Sequence, residues 1–205
     1  MELLPISKKD VITPYNIGAA EAAELVVTSS NRAAISRRGG FIYTLTMGIR
    51  PYNLLSRPEY MRYWEIAGAL SSEPYLRVPI FNPIETDSFK DNLSSTSCDA
   101  GVIGSDTITG VGTALMPGQF FKFSGKSKLY QVASVDKDVV STVKLTKPLS
   151  HNTGTIIDLT STDYLGNLID GVLGEFVHED FGNPVNRIED GILGIIGPLQ
   201  FKEKL

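Results

Sequence analysis

Strand and turn signals dominate the pattern of apolar and polar positions along the chain. Gly39-Gly40 precedes Phe41-Ile-Tyr-Thr-Leu-Thr-Met-Gly48, where β-branched and aromatic residues are dense, as in a strand. Tyr75-Leu-Arg-Val-Pro-Ile-Phe81 alternates likewise, and Pro79, with no amide proton for a ladder, confines it to an edge or a strand end. Between residues 84 and 165 the pattern yields five short strands: Val102–Ile108, Gln119–Phe123, Lys128–Val135, Val139–Leu145 and Gly154–Leu159. No helical pattern separates them. They suggest a small closed or nearly closed barrel, because closure hides strand edges.

One segment reads as a helix. Ser56-Arg57-Pro58-Glu59 has the form of a capping box, with Pro58 in the first turn, where its missing donor costs nothing. Tyr60, Tyr63, Trp64, Ala67 and Leu70 follow at spacings of three and four, one apolar face. The helix should run from Arg57 to Leu70, with Trp64 buried on that face. Ala19–Leu25, rich in Ala and Glu, is a weaker helical candidate. Asp170-Gly-Val-Leu-Gly174 recurs as Asp190-Gly-Ile-Leu-Gly194, which reads as two strands with similar turn entries, since a repeat array needs at least three units.

Charge divides the chain into three parts. Residues 1–83 hold nine Lys/Arg and seven Asp/Glu, including seven of the eight arginines. Residues 84–165 hold seven basic residues, all lysine, and nine acidic ones; residues 166–205 hold three and seven. Three compositions suggest an insertion better than two domains in series, entered through the polar stretch Glu85–Ser97, which reads as a linker. The ends of a host domain flanking an insertion lie close together, so the host should fold without it.

Composition narrows the function. With 205 residues, 42% hydrophobic, the chain can bury a core but falls short of the roughly 250 residues of a full (β/α)8 barrel. One cysteine, Cys98, excludes an internal disulfide framework and a multi-thiolate zinc site. A net charge of −4 and a pI near 5.2 argue against a dedicated nucleic-acid binder. The N-terminus has no basic segment leading into an apolar core, and no run of 18 uncharged apolar residues occurs, so neither a signal peptide nor a membrane helix is expected, and a cytoplasmic product is.

Motifs that suggest chemistry each have a plainer reading. Gly125-Lys126-Ser127 ends like a phosphate loop, but the upstream position that must be glycine is Phe120, and a strand follows where a helix is needed. It reads as a hairpin turn. His178-Glu179-Asp180 reads as a solvated loop, since neighbouring side chains on a strand point apart; His151 sits in turn chemistry. The carboxylates Asp163, Asp170, Glu175, Glu179, Asp180, Glu189 and Asp190 read first as a solvated face and next as an interface for a basic partner. A glycosidase pair among them is the least favoured reading. Arg37-Arg38 suits a subunit contact with an acidic strip, and Cys98 lacks basic neighbours that would activate a thiolate. Phe120, Phe121, Phe123 and Tyr130 could stack sugars, although alternation sends about half of them into a core. No catalytic, cofactor or metal residue is assigned.

Three features carry a resemblance. Tyr60-Met-Arg-Tyr-Trp-Glu-Ile-Ala-Gly-Ala-Leu70 followed by Leu76-Arg-Val-Pro-Ile-Phe81 resembles the helix-then-strand passage of phage tail hub domains. Gly112–Gly125, with Lys128-Leu-Tyr-Gln-Val132 and Val143-Lys-Leu-Thr-Lys-Pro-Leu149, resembles a β-module of tail-tip proteins, and the length suits. The chain is thus similar to the distal tail proteins of siphophages, the coliphage type with a small inserted barrel. The resemblance implies a mainly β fold: a discontinuous β-sandwich hub domain with one α-helix from residues 1–83 and 166–205, and an OB-like β-barrel inserted as residues 84–165. It further implies a non-enzymatic, cofactor-free virion component, a hexameric ring joining tail tube to tip. Its partners would be copies of itself, the tail tube protein, baseplate hub or tip proteins and side fibres where present, with no nucleic acid and no membrane. A carbohydrate-binding module acting in host attachment through the barrel is the alternative.

Overall fold

The computed structural model describes residues 1–27, 33–113, 115–136, 139, 141–181 and 186–204; for residues 20–27 and 33–41 it describes the backbone. In chain order the elements are Glu2–Leu3 (β1), a 3-10 turn at Lys8–Asp10, Val11–Val27 (β2), Ala33–Ile49 (β3), Tyr52–Asn53 (β4), Arg57–Ser72 (α1), Tyr75–Phe81 (β5) and the short Asp87–Lys90 (α2). Then come Ser95–Ser97 (β6), Thr107–Ile108 (β7), Phe120–Phe123 (β8), Leu129–Val135 (β9), Val143–Leu145 (β10) and Ile156–Asp158 (β11). The chain closes with Thr160–Thr162 (β12), Leu168–His178 (β13), Asn186–Glu189 (β14), Leu193–Ile196 (β15) and Leu199–Glu203 (β16).

The fold is mainly β, sandwich-like, with one main helix. A seven-stranded sheet runs β1-β5-β13-β16-β3-β2, with β12 paired to β13 off that path. A three-stranded sheet, β14-β15-β4, and α1 pack with it around one core. Period-two alternation builds that core: Tyr43, Leu45 and Met47 point in from β3, and Leu199, Phe201 and Glu203 from β16. Pro79 fits its edge placement, since β1 pairs β5 only at Leu76 and Arg77 and no strand covers Pro79 on that side among the described residues.

Residues 94–158 form a six-stranded sheet, β6-β11-β8-β9-β10-β7, over a second core that includes Phe121, Phe123, Tyr130 and Ile157. As paired strands this order is open. Between the segments flanking β6 and β7, however, Asp99 N–H donates to the Thr109 carbonyl and Gly112 N–H to that of Ser97.

Several expectations are corrected. Ala19–Leu25 is strand, within β2: its cross-strand partners on β3 supply the hydrogen bonds that an Ala-rich stretch would otherwise find in a helix. The stretch 85–97 is no linker, for it holds α2 and β6 and buries Thr86 and Ser88. Of Val102–Ile108 only β7 is strand; Val102 and Ile103 are exposed in a turn at Gly104, whose φ is 86°. The capping box does not form, because Glu59 turns to Arg50 Nη1 (3.0 Å) and Asn53 N (2.6 Å) instead of the Ser56 amide. α1 is rotated from the expected face: Tyr63, Ile66, Ala67 and Leu70 are buried, while Trp64 is 45% exposed. The two Asp-Gly echoes differ as well. Asp190-Gly191 makes a left-handed turn, whereas Gly171 lies inside β13, where a Cβ would overlap the Ile80 carbonyl.

Candidate functional site

β2 and β3 are each 17 residues long, far longer than their neighbours. β16 pairs with β3 only from Thr44 to Met47. Beyond Tyr43, from Glu21↔Phe41 to Val27↔Ala33, the two strands pair only with each other among the described residues. Seven residues at about 3.4 Å each give this two-stranded arm a length of ~24 Å.

The arm leaves the sheet at a buried carboxylate. Glu203 ends β16 on its inward face, and its Oε2 accepts from the Tyr43 amide at 3.0 Å, just past the last ladder pair. The same oxygen receives Lys147 Nζ at 2.8 Å, and Oε1 accepts from the Leu129 amide at 2.9 Å. Lys147 and Leu129 come from the region of the six-stranded sheet, so one carboxylate ties the arm, the seven-stranded sheet and that region together. Both charged side chains of the pair are 1% exposed. The Lys147 ammonium lies 4.1 Å from the centre of the Tyr43 ring, and Tyr43 Oη lies 2.6 Å from Thr146 Oγ1. Burial outweighs the attraction of Glu203 and pulls the Lys147 pKa down to about 8; burial likewise raises that of the Tyr43 phenol.

A second staple lies across the junction. Asp170 accepts from Asn82 Nδ2 (2.8 Å), the Thr86 amide (2.7 Å) and the Thr86 hydroxyl (2.9 Å). Asn82 Oδ1 in turn accepts from the Phe120 amide, and Gln119 Nε2 donates to Ser88 Oγ. Phe120 and Leu129 themselves enter the core of the seven-stranded sheet, and Phe120 meets Tyr43 edge-on at 5.5 Å. A third cluster fastens α1. Asp10 accepts from Ser7, Tyr52 Oη (2.9 Å) and Arg62 Nη2 (2.8 Å). Burial would raise its pKa, but the bonds from Arg62 and Ser7 win and hold it below the usual carboxylate value.

The residues singled out from sequence do not converge. Asp163 and Asp170 are buried turn and staple acceptors, Glu175 sits opposite Arg77 across the β13–β5 pair, and Glu189 pairs with Arg187 at the surface. His178 is not in a solvated loop: it ends β13, 2% exposed, its ring 5.3 Å from that of Phe201, and burial lowers its pKa. His151 Nδ1 lies 3.0 Å from Ser150 Oγ, with no carboxylate completing a triad among the described residues. Cys98 is buried and its pKa raised by burial and Asp99, an unreactive setting. Gly125-Lys126-Ser127 is a hairpin turn closed by Lys126 N–H to the Phe123 carbonyl. All four candidate sugar-stacking aromatics, Phe120, Phe121, Phe123 and Tyr130, are core residues no more than 2% exposed, so they form no platform. The side chains of Arg37 and Arg38 lie outside the described residues.

Lys147 and Glu203 belong to no motif. The signal that carries them is alternation: Val143, Leu145, Lys147 and Leu149 share one face, as do Leu199, Phe201 and Glu203. No protein-family model matches the chain, and no curated protein matches it. No helix among the described residues is long and apolar enough to cross a membrane.

Proposed function

We propose that the chain is a structural component of a phage tail tip that assembles as a ring, one copy reaching the next through the β2–β3 arm. The arm carries this reading. A two-stranded ribbon alone is marginally stable in water and offers two unpaired edges, so it gains most by lying on another surface. Arm and receiving surface are different patches of one chain, which makes the contact heterologous, and heterologous contacts close into rings when the rotation permits. The buried Glu203–Lys147 pair at the arm's root supports the same reading, because a rigid root fixes the angle at which the arm leaves. The two backbone bonds across the gap between the β6 and β7 flanks support a small barrel in the insertion, which would stand as a rigid appendage on the ring.

The test is to replace residues 21–41 by an Asn-Gly turn joining Ala20 to Ile42, a cross-strand pair at the arm's base. The intact protein should appear in purified virions and restore tails in a phage lacking the gene; the armless form should fold yet fail to do so. Absence of the intact protein from virions, or full rescue by the armless form, would refute the reading.

A further inference from the structure

His178 ends β13 as a buried polar group with nothing to bond. It is 2% exposed, and neither ring nitrogen has a hydrogen-bond partner in bonding geometry. A neutral imidazole carries one donor and one acceptor, and leaving both dry is a cost that packing alone does not explain. Three neighbours close around the side chain. β16 lays Phe201 against it, with ring centroids 5.3 Å apart. Between α1 and β5, the Pro74 carbonyl accepts from the His178 amide, and the last turn of α1 brings the Leu70 carbonyl near the imidazole. That turn carries no basic residue. Beyond His178 the chain turns at Glu179–Phe181, where Glu179 N–H donates to the Gln200 carbonyl. Among the ionisable groups on these elements, Asp180 acts on the imidazole; Glu73 is half-buried, Glu179, Tyr75 and Lys202 are exposed, and Glu203 is committed to Lys147.

We propose that His178 is a proton-operated latch: in mild acid it takes up a proton, leaves Phe201 for the rim, and frees the end of α1 and the Glu179–Phe181 turn from the sheet. A cation held in the closed position would have two donors and no acceptor in bonding geometry. At the rim it meets water, the Asp180 carboxylate and the carbonyls that end α1, whose partial negative charge favours it. In the closed state burial outweighs the pull of Asp180 and Leu70 and lowers the pKa from the usual 6.5. The released imidazole therefore takes up its proton first, so the closed packing is complete above 6.5 and weakens as pH falls below it. Release stays local because His178 lies at the end of its strand, whereas Phe176, two residues back, sits in the core with ladder partners on both sides. The latch depends neither on the arm nor on assembly.

The test follows imidazole and amide signals of the intact protein by nuclear magnetic resonance from about pH 8 to about pH 5. The chain has two histidines, so the His178 signal is the one lost in His178→Phe. It should titrate below 6.5. Over the same range, exchange of the amides of His178, Glu179 and residues 70–73, corrected for the intrinsic rate, should speed about threefold or more, while those of β3 and of β13 around Phe176 stay protected. His178→Phe keeps an aromatic ring against Phe201 and removes the proton site, so the gain should vanish. The proposal is overturned if wild-type His178 titrates at 6.5 or above, if exchange speeds equally across all strands, or if the gain persists in His178→Phe. The first two readings need only the wild-type protein.

Discussion

Lys147→Met removes the ammonium at the junction while keeping most of its apolar length, and its cost follows from the geometry. At 2.8 Å and an effective dielectric of about 20, Lys147 and Glu203 attract by about 6 kcal/mol. For the lysine, burial takes back more than that, which is why its pKa is pulled down to about 8 despite its partner. The pair's net worth is therefore small, but leaving one member buried alone costs about 3–5 kcal/mol. Lys147→Met should lie at the low end, about 3 kcal/mol, because Glu203 keeps two backbone amides. Glu203→Leu should cost about 5 kcal/mol, since it takes the carboxylate away from buried Lys147 and also leaves the Tyr43 and Leu129 amides without that acceptor. The double variant should be no worse than Glu203→Leu alone, a coupling of about 3 kcal/mol. Urea unfolding followed by circular dichroism reads all three. A cost below about 1 kcal/mol for Lys147→Met, or a double variant equal to the sum of the singles, would refute the reasoning.

Excising residues 84–165 should leave an unstable remainder rather than a folded one, as thermal melting will show, because it empties the Phe120 and Leu129 positions of the larger core and takes Lys147 away from Glu203. Trp64→Ala should cost only about 1 kcal/mol, and the wild-type indole should emit as a largely hydrated one, since Trp64 is 45% exposed. On the acid side, the lowered pKa of Asp10 means that the unfolded chain takes up its proton first; this contribution is complete above the unfolded value of 3.8 and is lost as pH falls through the lower folded one, more steeply than in Asp10→Asn. On the alkaline side, Tyr15, Tyr43 and Tyr52 have raised pKa values and ionise first in the unfolded chain, so stability should fall as pH climbs past 10.0, and Tyr15→Phe should blunt the fall in a pH series of urea midpoints.

Local pattern carried much of the architecture. The strand at Phe41–Gly48, the edge strand with Pro79, the helix from Arg57 and strands β8 and β9 all lie where alternation and spacing put them. What failed did so for tertiary reasons. Ala19–Leu25 prefers helix locally, and a partner strand overrides it. Tyr60, Tyr63 and Trp64 are all aromatic, so spacing alone does not single out the buried face of α1; only packing against β4 and β15 selects Tyr63 over its neighbours. The stretch 85–97 looks like a linker because its buried groups are hydroxyls, and their burial is possible only because Asp170, far along the chain, accepts from Thr86.

The same limit explains why the junction was hidden. Alternation puts Lys147 and Glu203 each on an inward face, and a charge on an inward face demands a partner. Fifty-six positions separate the two, and only the return of β16 beside β3 brings them within bonding distance. Once paired, they make the six-stranded and seven-stranded sheets hard to separate energetically, because neither can move without exposing a charge that the other neutralises. That coupling bears directly on the proposed ring. An arm rooted in a loose hairpin would leave the sheet at many angles, and each angle would call for a different neighbour position. Rooted at Tyr43, whose amide is held by Glu203 and whose ring lies beside the Lys147 ammonium, the arm would leave at one angle, as the proposed ring of identical copies requires.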